Sequence, residues 1–298
     1  MPWRASADGQ RDGLASDTDK AVYGVQANAD REQGLRFVVN DLKWNVHVGL
    51  EDAPGARVFS SLDRVFELNG PQVSSGVFCH VIKWCVAGRK YYVKRYRPQG
   101  KHFRKAFSRD RSDIECRNLT YFAQMGIPVP KVVAEGSQRS LGLLRRGAIV
   151  TEEVPRSVDL QTLIRTRPDL FRDPEWRSRV MGSLADHVRR LHEDGFTHRD
   201  LKWRNILVTA EEPPRVFLLD CPSGRHTSRL WRKHFIVKDL ALLDRSAREC
   251  LSRTTRLRFY LRYRCQTRLR REDRQLVARI MGFQFRHRGA FSHHPPTL

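Results

Sequence analysis

The sequence predicts an α+β fold of two lobes, with an antiparallel-sheet N-lobe followed by a mainly helical C-lobe. Short runs of alternating apolar residues, each bounded by Gly, Pro, Asn or Asp, are typical of strands and occur early in the chain, at 36–39, 44–48, 57–59 and 65–68. A stripe of apolar residues at spacings of 4, 4 and 3 then predicts a long helix, and it consists of Val180, Leu184, Val188 and Leu191.

The expected domain organisation follows from these patterns. A tail without periodicity covers residues 1–35, the N-lobe covers 36–152, the C-lobe covers 153–290 and a second tail covers 291–298. The strand pattern at 149–154 changes from apolar to acidic before Pro155, as expected where the chain crosses from one lobe to the other. We therefore place the lobe boundary near Glu153.

Charge and cysteine content limit the classes of partner and compartment. The 298 residues include 55 Lys plus Arg against 33 Asp plus Glu, a formal net charge of +22 that favours anionic partners such as nucleotides or lipid surfaces. The six cysteines include no C-x-x-C pair, so their spacing predicts neither a zinc site nor a disulfide framework. With no signal-peptide pattern and no run of about 18 apolar residues, we expect a cytoplasmic protein, at most peripheral on a membrane.

The most informative stretch is residues 198–205, which read H-R-D-L-K-W-R-N. This H-R-D-x-x-x-x-N pattern is typical of a loop that positions a hydroxyl and a metal ion for phosphoryl transfer. In such a site Asp200 accepts or orients the hydroxyl proton, and Asn205 binds Mg²⁺. Lys202, two residues after Asp200, balances charge on the transferring group.

Further residues of the same chemistry occur in the order that phosphoryl transfer requires. Lys94 follows an apolar strand pattern, and Glu115 lies 21 residues later near the start of an amphipathic helix in which Ile114, Tyr121 and Met125 are expected to face one way. A carboxylate directed at that ammonium would hold Lys94 against the α- and β-phosphates of ATP.

Downstream of the loop, Asp220 ends a second apolar strand pattern beside Asn205. We expect it to be the second ligand of Mg²⁺. Between Asp220 and Asp239 lie only residues 221–238, which leaves little room for a peptide-binding platform. Cys221 and Pro222 follow Asp220 directly, and the proline restricts the backbone there.

Two further segments are candidate nucleotide contacts. Residues 69–78 are rich in turn formers, and both an ordinary hairpin turn and a phosphate-covering loop that uses Gly70 and Gly76 fit this stretch. At the lobe crossing, backbone groups of Glu153 are placed to bind an adenine edge. The basic segment 256–264 fits a core-facing helix with a solvated side better than a base-stacking surface, and without a recognition motif we do not expect nucleic acid as a partner.

Taken together, these residues resemble the bacterial lipopolysaccharide core kinases, the Kdo and heptose kinases, which have a protein-kinase-like fold. Five stretches carry the resemblance, namely 93–96, Glu115 with 126–130, 150–153, 191–202, and 238–241 with 245–247. It implies ATP- and Mg²⁺-dependent phosphorylation of a sugar hydroxyl on a glycolipid at the cytoplasmic face of the inner membrane, whose anionic surface suits the charge of the chain. A Ser/Thr protein kinase and a catalytically silent kinase-like binding module are the alternatives.

Overall fold

The structure is a computed structural model, and it describes residues 40–47, 57–76, 79–97 and 110–283. Both predicted tails and the predicted strand at 36–39 lie outside the described residues. The lobe boundary near Glu153 stays a prediction.

The N-terminal part of the described chain forms a six-stranded antiparallel sheet in the order β1-β5-β6-β4-β3-β2. Its strands are β1 (Asn40–Val46), β2 (Gln72–Gly76), β3 (Cys79–Val86), β4 (Arg89–Tyr96), β5 (Val132–Ser140) and β6 (Leu143–Glu152). In β4, Tyr91 and Val93 are buried on one face while Lys94 lies between Val81 of β3 and Ile149 of β6. Because side chains alternate along a strand, Lys94 points away from the core that Val93 joins.

Two helices accompany the sheet. Helix α1 (Leu62–Glu67) is capped by Ser61, so the predicted strand at 65–68 is wrong. The predicted strand at 57–59 is wrong as well, because residues 57–58 are helical and residues 59–60 form a turn and a bend. Val65 of this helix is buried in the core beneath the sheet, which explains the apolar pattern without a strand.

Helix α2 (Arg111–Gln124) is capped by Asp110 and ends before Gly126, as its two following prolines require. It packs on β5 and β6. Tyr121 and Met125 of the predicted apolar face pack against the core and Ile114 is partly buried, while the fully buried apolar side chains of the helix are Cys116, Leu119 and Phe122.

The C-terminal part is mainly helical, as the sequence predicted. Its helices are α3 (Leu160–Thr166), α4 (Pro174–Glu193), α5 (Arg229–Cys250), α6 (Arg253–Tyr263) and α7 (Arg271–Met281). The whole predicted stripe of α4 is buried, which confirms that helix. The basic segment forms α6, whose Tyr260 and Tyr263 are buried, so its aromatic rings serve the core.

Five short strands connect these helices. Strands β7 (Ser157–Asp159), β9 (Ile206–Thr209) and β10 (Val216–Leu218) form one antiparallel sheet, and β8 (Phe196–Thr197) pairs with β11 (Arg225–His226). Residues 198–205, here called the 198–205 loop, connect β8 to β9 and end in a 3₁₀ turn, Trp203–Asn205. None of the helices in the described ranges is long and apolar enough to cross a membrane.

Candidate active site

The 198–205 loop holds Asp200 and Asn205 side by side. The Asn205 Nδ2 donates to the Asp200 carbonyl oxygen at 2.9 Å, and Lys202 Nζ lies 2.5 Å from Asp200 Oδ1. Asn205 is buried, whereas the Asp200 side chain is 31% exposed. The loop therefore presents one accessible carboxylate, paired with a lysine, beside an amide whose NH₂ group is already used and whose oxygen is left for a ligand.

Lys94 and Glu115 meet as the sequence predicted. Lys94 Nζ lies 3.0 and 2.8 Å from the two carboxylate oxygens of Glu115, and the Tyr96 hydroxyl donates to the same carboxylate. Strand β4 supplies Lys94 and Tyr96, while α2 supplies Glu115. Because the carboxylate has three donor contacts and is 5% exposed, this ion pair is fixed rather than a surface contact.

Asp220 joins the same group of charges. Asp220 follows β10 and Leu219, and Leu219 donates its N–H to the Asn205 carbonyl at 2.9 Å. The Asp220 carboxylate accepts a hydrogen bond from Lys94 Nζ. The Asp220 backbone has φ 53, in the left-handed region that costs a residue other than glycine about 1–3 kcal/mol. Lys94, Glu115, Asp220, Asn205 and Asp200 are thus brought together from separate segments of the chain.

The charges of this group depend on one another. Burial alone would lower the pKa of Lys94, but the nearby carboxylates of Glu115 and Asp220 hold it well above its usual value. Burial also raises the pKa of Glu115 despite the opposing effect of Lys94. For Asp220 the ammonium of Lys94 outweighs burial and lowers the pKa. Lys94 therefore stays charged, and Asp220 is an anion suited to binding a cation.

Asp239 of α5 contacts the 198–205 loop, although the sequence motifs assign it no role. It is fully buried, and its two carboxylate oxygens accept the backbone N–H groups of His198 at 2.8 Å and Arg199 at 2.7 Å. Arg199 has φ 69, and its guanidinium stacks 3.7 Å above the Phe235 ring. Asp239 thus fixes the backbone that carries Asp200, and its place in a segment of the family resemblance was the only signal of this.

His198 supports the loop rather than its chemistry. Burial lowers the pKa of its imidazole. Its Nε2 lies 3.3 Å from the Leu219 carbonyl, which requires the proton on that nitrogen. The neutral ring therefore ties the 198–205 loop to the residue before Asp220.

Asn118 was also missed, because one amide on a helix carries no sequence signature. Its Nδ2 donates to the carbonyl oxygens of Cys221 at 2.7 Å and Gly224 at 3.0 Å. A Cβ at Gly224 would lie 2.3 Å from Cys221 Sγ, so only glycine fits there. Helix α2, which carries Glu115, is thereby bonded to the segment that carries Asp220.

The three predicted nucleotide contacts, Gly70, Gly76 and Glu153, have different surroundings. A Cβ at Gly70 would lie 2.4 Å from the Lys83 carbonyl, so close packing on β3 explains this glycine. Gly76 ends β2 opposite Cys79, whose strand neighbour is Tyr96, but residues 77–78 lie outside the described residues. The Glu153 N–H donates to the Lys90 carbonyl at 2.8 Å, so of the backbone groups predicted to bind an adenine edge this one is already used.

The side chain of Glu153 is occupied as well. Its carboxylate lies 2.5 Å from Lys83 Nζ and 3.3 Å from the Tyr92 hydroxyl. An adenine contact from this residue would therefore use its carbonyl oxygen.

Comparison with known proteins places this site in a family. The sequence profile of the lipopolysaccharide kinase (Kdo/WaaP) family matches residues 64–263. A 3-deoxy-D-manno-octulosonic acid kinase of Actinobacillus succinogenes is 37% identical over 139 residues, which are 46% of this chain and 53% of that protein. The chain thus spans about half the length of that curated relative.

Two further proteins extend the comparison. The lipopolysaccharide core heptose(I) kinase WaaP of Pseudomonas aeruginosa is 26% identical over 193 residues, which are 60% of this chain and 70% of that protein. A solved structure of WaaP in complex with acyl carrier protein has a similar fold, with a TM-score of 0.61 and 22% identity over 80% of this chain and 96% of that chain. The α+β, protein-kinase-like fold predicted from the sequence is confirmed.

Proposed function

Because the chain belongs to the lipopolysaccharide kinase (Kdo/WaaP) family, we propose that it is an ATP- and Mg²⁺-dependent kinase acting on a sugar hydroxyl of a lipopolysaccharide core or a similar glycolipid. One observation carries the proposal. Lys94, Glu115 and Asp220, from β4, α2 and the end of β10, form one ion-paired group beside the 198–205 loop. This is the set of charges that phosphoryl transfer needs held rigidly around a nucleotide.

Lys94 is proposed to bind the non-transferred phosphates of ATP. It is a permanent cation, because Glu115 and Asp220 keep its ammonium charged in spite of burial. Glu115 holds it by both carboxylate oxygens, so its position is set before the nucleotide arrives. Such preorganisation avoids the reorganisation cost that a free lysine would have on binding.

Asn205 and Asp220 fit a magnesium ion. Mg²⁺ prefers oxygen ligands, and these residues offer an amide oxygen and a carboxylate. The Asn205 NH₂ group is already used on the Asp200 carbonyl, which leaves its oxygen for the ion. When bound, Mg²⁺ would neutralise charge on the phosphates of ATP.

Asp200 is proposed to orient the acceptor hydroxyl and accept its proton. Its accessible carboxylate lies on a loop whose backbone N–H at Arg199 is hydrogen-bonded to Asp239. Lys202, 2.5 Å from Asp200, is proposed to offset charge on the group in transfer. Gly76 and the carbonyl of Glu153 are proposed as nucleotide contacts, whereas Gly70 is better explained by packing.

A small or lipid-linked acceptor is favoured over a peptide. Only residues 221–238 connect Asp220 to Asp239, and α5 already begins at Arg229. Asn118 bonds to the carbonyls of Cys221 and Gly224, so this short segment is held against α2. It leaves little chain from which a peptide-binding platform could be built.

The start of α5 supports a membrane-facing orientation. Leu230 and Trp231 are 84% and 58% exposed, and Arg229 and Lys233 beside them are exposed as well. Arg232 of the same turn packs against Gly195, which precedes the strand leading into the 198–205 loop. Aromatic and basic side chains together suit the interface of an anionic membrane, so we propose that this turn directs the site towards its glycolipid.

Vesicle binding tests that orientation. The chain is expected to sediment with vesicles containing anionic lipid and not with neutral ones, and Trp231→Ala should weaken the binding. Leu141→Ala, an equally exposed apolar residue in the turn between β5 and β6, is the matched control. Equal binding by the two variants would exclude the turn as the contact surface.

The acceptor is tested by incubation with γ-labelled ATP and Mg²⁺. Separate reactions contain lipopolysaccharide core, an aminoglycoside and a generic protein, each with and without acyl carrier protein, since the solved neighbour was determined with that partner. The proposal predicts label on the core sugar. Label on protein alone would favour a Ser/Thr protein kinase, and no stabilisation of the chain by ATP with Mg²⁺ would favour a silent binding module.

A further inference from the structure

A second group of reactive side chains lies next to the candidate active site but takes no part in it. Cys116 follows Glu115 in α2, and its side chain contacts His47 at the end of β1 and approaches Glu135 in the middle of β5. Cys116 and Glu135 are buried, and His47 is partly buried. These residues are far apart in sequence, which is why cysteine spacing gave no sign of them.

The separation of the Cys116 and His47 ligand atoms matches that around a tetrahedral ion. Cys116 Sγ lies 3.6 Å from His47 Nε2. Zinc bonds of about 2.3 Å to sulfur and 2.0 Å to nitrogen at a tetrahedral angle place the two ligand atoms about 3.6 Å apart. One ligand atom from each of the three residues lies within 4.8 Å of the others, so a side-chain shift of about 1 Å completes the arrangement.

We propose that His47, Cys116 and Glu135 form a binding site for Zn²⁺, with a water molecule as the fourth ligand. Sulfur, imidazole nitrogen and carboxylate oxygen are the three ligand types that zinc takes in proteins. The Glu135 carboxylate is already oriented by Asn45, whose Nδ2 donates to Oε1 at 2.7 Å. A bound dication would also neutralise the charge of this buried carboxylate.

The thiol must lose its proton when the ion binds. Burial, with a smaller effect of the Glu135 charge, raises the pKa of Cys116 to about 12, so the ion-free residue is a thiol. Zinc binding forms the sulfur–zinc bond and releases that proton to solvent, and no electron is transferred. Binding is therefore expected to weaken as pH falls.

The site would act on the position of α2. An ion shared by Cys116, His47 and Glu135 connects α2 to β1 and β5, and Glu115 is the adjacent residue of the helix. The ion would therefore hold in place the partner of Lys94 without touching the nucleotide. It would be a structural ion that stabilises the folded chain.

Cobalt titration of the purified full chain tests the site directly. Co²⁺ bound through Cys116 gives a thiolate-to-metal charge-transfer band, which cobalt bound to surface histidines does not, and Zn²⁺ should abolish the band by displacement. The wild type is expected to show the band at one equivalent of Co²⁺ and a higher Tm with Zn²⁺. Cys116→Ser should lose both effects, whereas Cys85→Ser, which removes an exposed thiol of β3, should keep them.

His47→Gln and Glu135→Gln provide independent tests, because each retains the thiol. Both should bind Co²⁺ at least about tenfold more weakly while unfolding as a single cooperative transition without metal. No thiolate band in the wild type, or an undiminished band in Cys116→Ser, would overturn the proposal. In that case the trio is a hydrogen-bonded thiol–imidazole contact and nothing more.

Discussion

Replacement of Asp239 by asparagine changes one atom of a buried contact on which the 198–205 loop depends. Each carboxylate oxygen accepts one backbone N–H, from His198 and from Arg199. In asparagine the amide nitrogen takes the place of one acceptor and faces an N–H donor instead. A hydrogen bond to a charged group contributes about 1.5–3 kcal/mol, so the lost bond and the weakened one together lower the free energy of unfolding by about 3 kcal/mol.

The loss also affects activity. Arg199 is held at φ 69, a conformation that costs about 1–3 kcal/mol, and this is comparable with the single bond that remains. We expect the backbone to relax and Asp200, the next residue, to move. A displacement of about 1 Å at a reacting group can lower the rate about 100-fold.

The assay separates these two effects. The kcat and KM of Asp239→Asn are measured well below its Tm, beside Asp244→Asn on the same helix. Asp244 accepts from Arg248 at 2.8 Å and from Arg256 at 2.6 Å, away from the loop, so its variant should lose stability but keep kcat. If the kcat of Asp239→Asn equals that of Asp244→Asn, Asp239 does not position the loop.

Three further predictions concern other buried groups. Glu115→Gln should lower kcat/KM for ATP by about 10- to 100-fold, because Lys94 loses its bidentate partner, and ATP titration of steady-state rates measures this. Burial lowers the pKa of His187 to about 4, below the unfolded value of about 6.5. The stability that depends on the neutral imidazole is therefore complete above pH 6.5 and is lost as the pH falls towards 4. Urea unfolding should show this loss, up to about 3 kcal/mol, in the wild type and much less of it in His187→Gln. Asn118→Leu leaves the Cys221 and Gly224 carbonyls unpaired and should lower the free energy of unfolding by about 1–3 kcal/mol, and Asn118→Asp, which puts a carboxylate oxygen against the same two carbonyl oxygens, should cost at least as much by chemical denaturation.

Local spacing was enough to predict which of the candidate side chains lie together but not the framework that holds them. The H-R-D-L-K-W-R-N pattern fixes the relation of Asp200 to Asn205 within eight residues, and the strand and helix patterns place Lys94 and Glu115 on adjacent elements. Asp239 could not be assigned in the same way, because it acts through backbone N–H groups, which every residue except proline has.

The errors of the sequence prediction also have physical causes. The run at 65–68 is too short for its apolar pattern to distinguish strand from helix, and the signal that decides is Ser61, which caps α1. In α2 the inward face includes Glu115 and Asn118, polar residues that an apolar stripe cannot reveal. Where buried polar residues hold a functional site, hydrophobic periodicity alone reveals only part of the buried face.

The central claim is that Asp200 is the base of a phosphoryl-transfer site, and one comparison tests it most directly. Transfer of labelled phosphate to the lipopolysaccharide core is measured for the wild type, Asp200→Asn and Asp194→Asn, where Asp194 is a carboxylate outside the loop that pairs with His226 at 2.6 Å. Loss of a positioned general base lowers the rate by about 10²–10⁴-fold, so the kcat of Asp200→Asn should fall by that factor. ATP should raise the Tm of this variant as much as it raises that of the wild type, and Asp194→Asn should keep the wild-type rate. Wild-type turnover in Asp200→Asn would contradict the account.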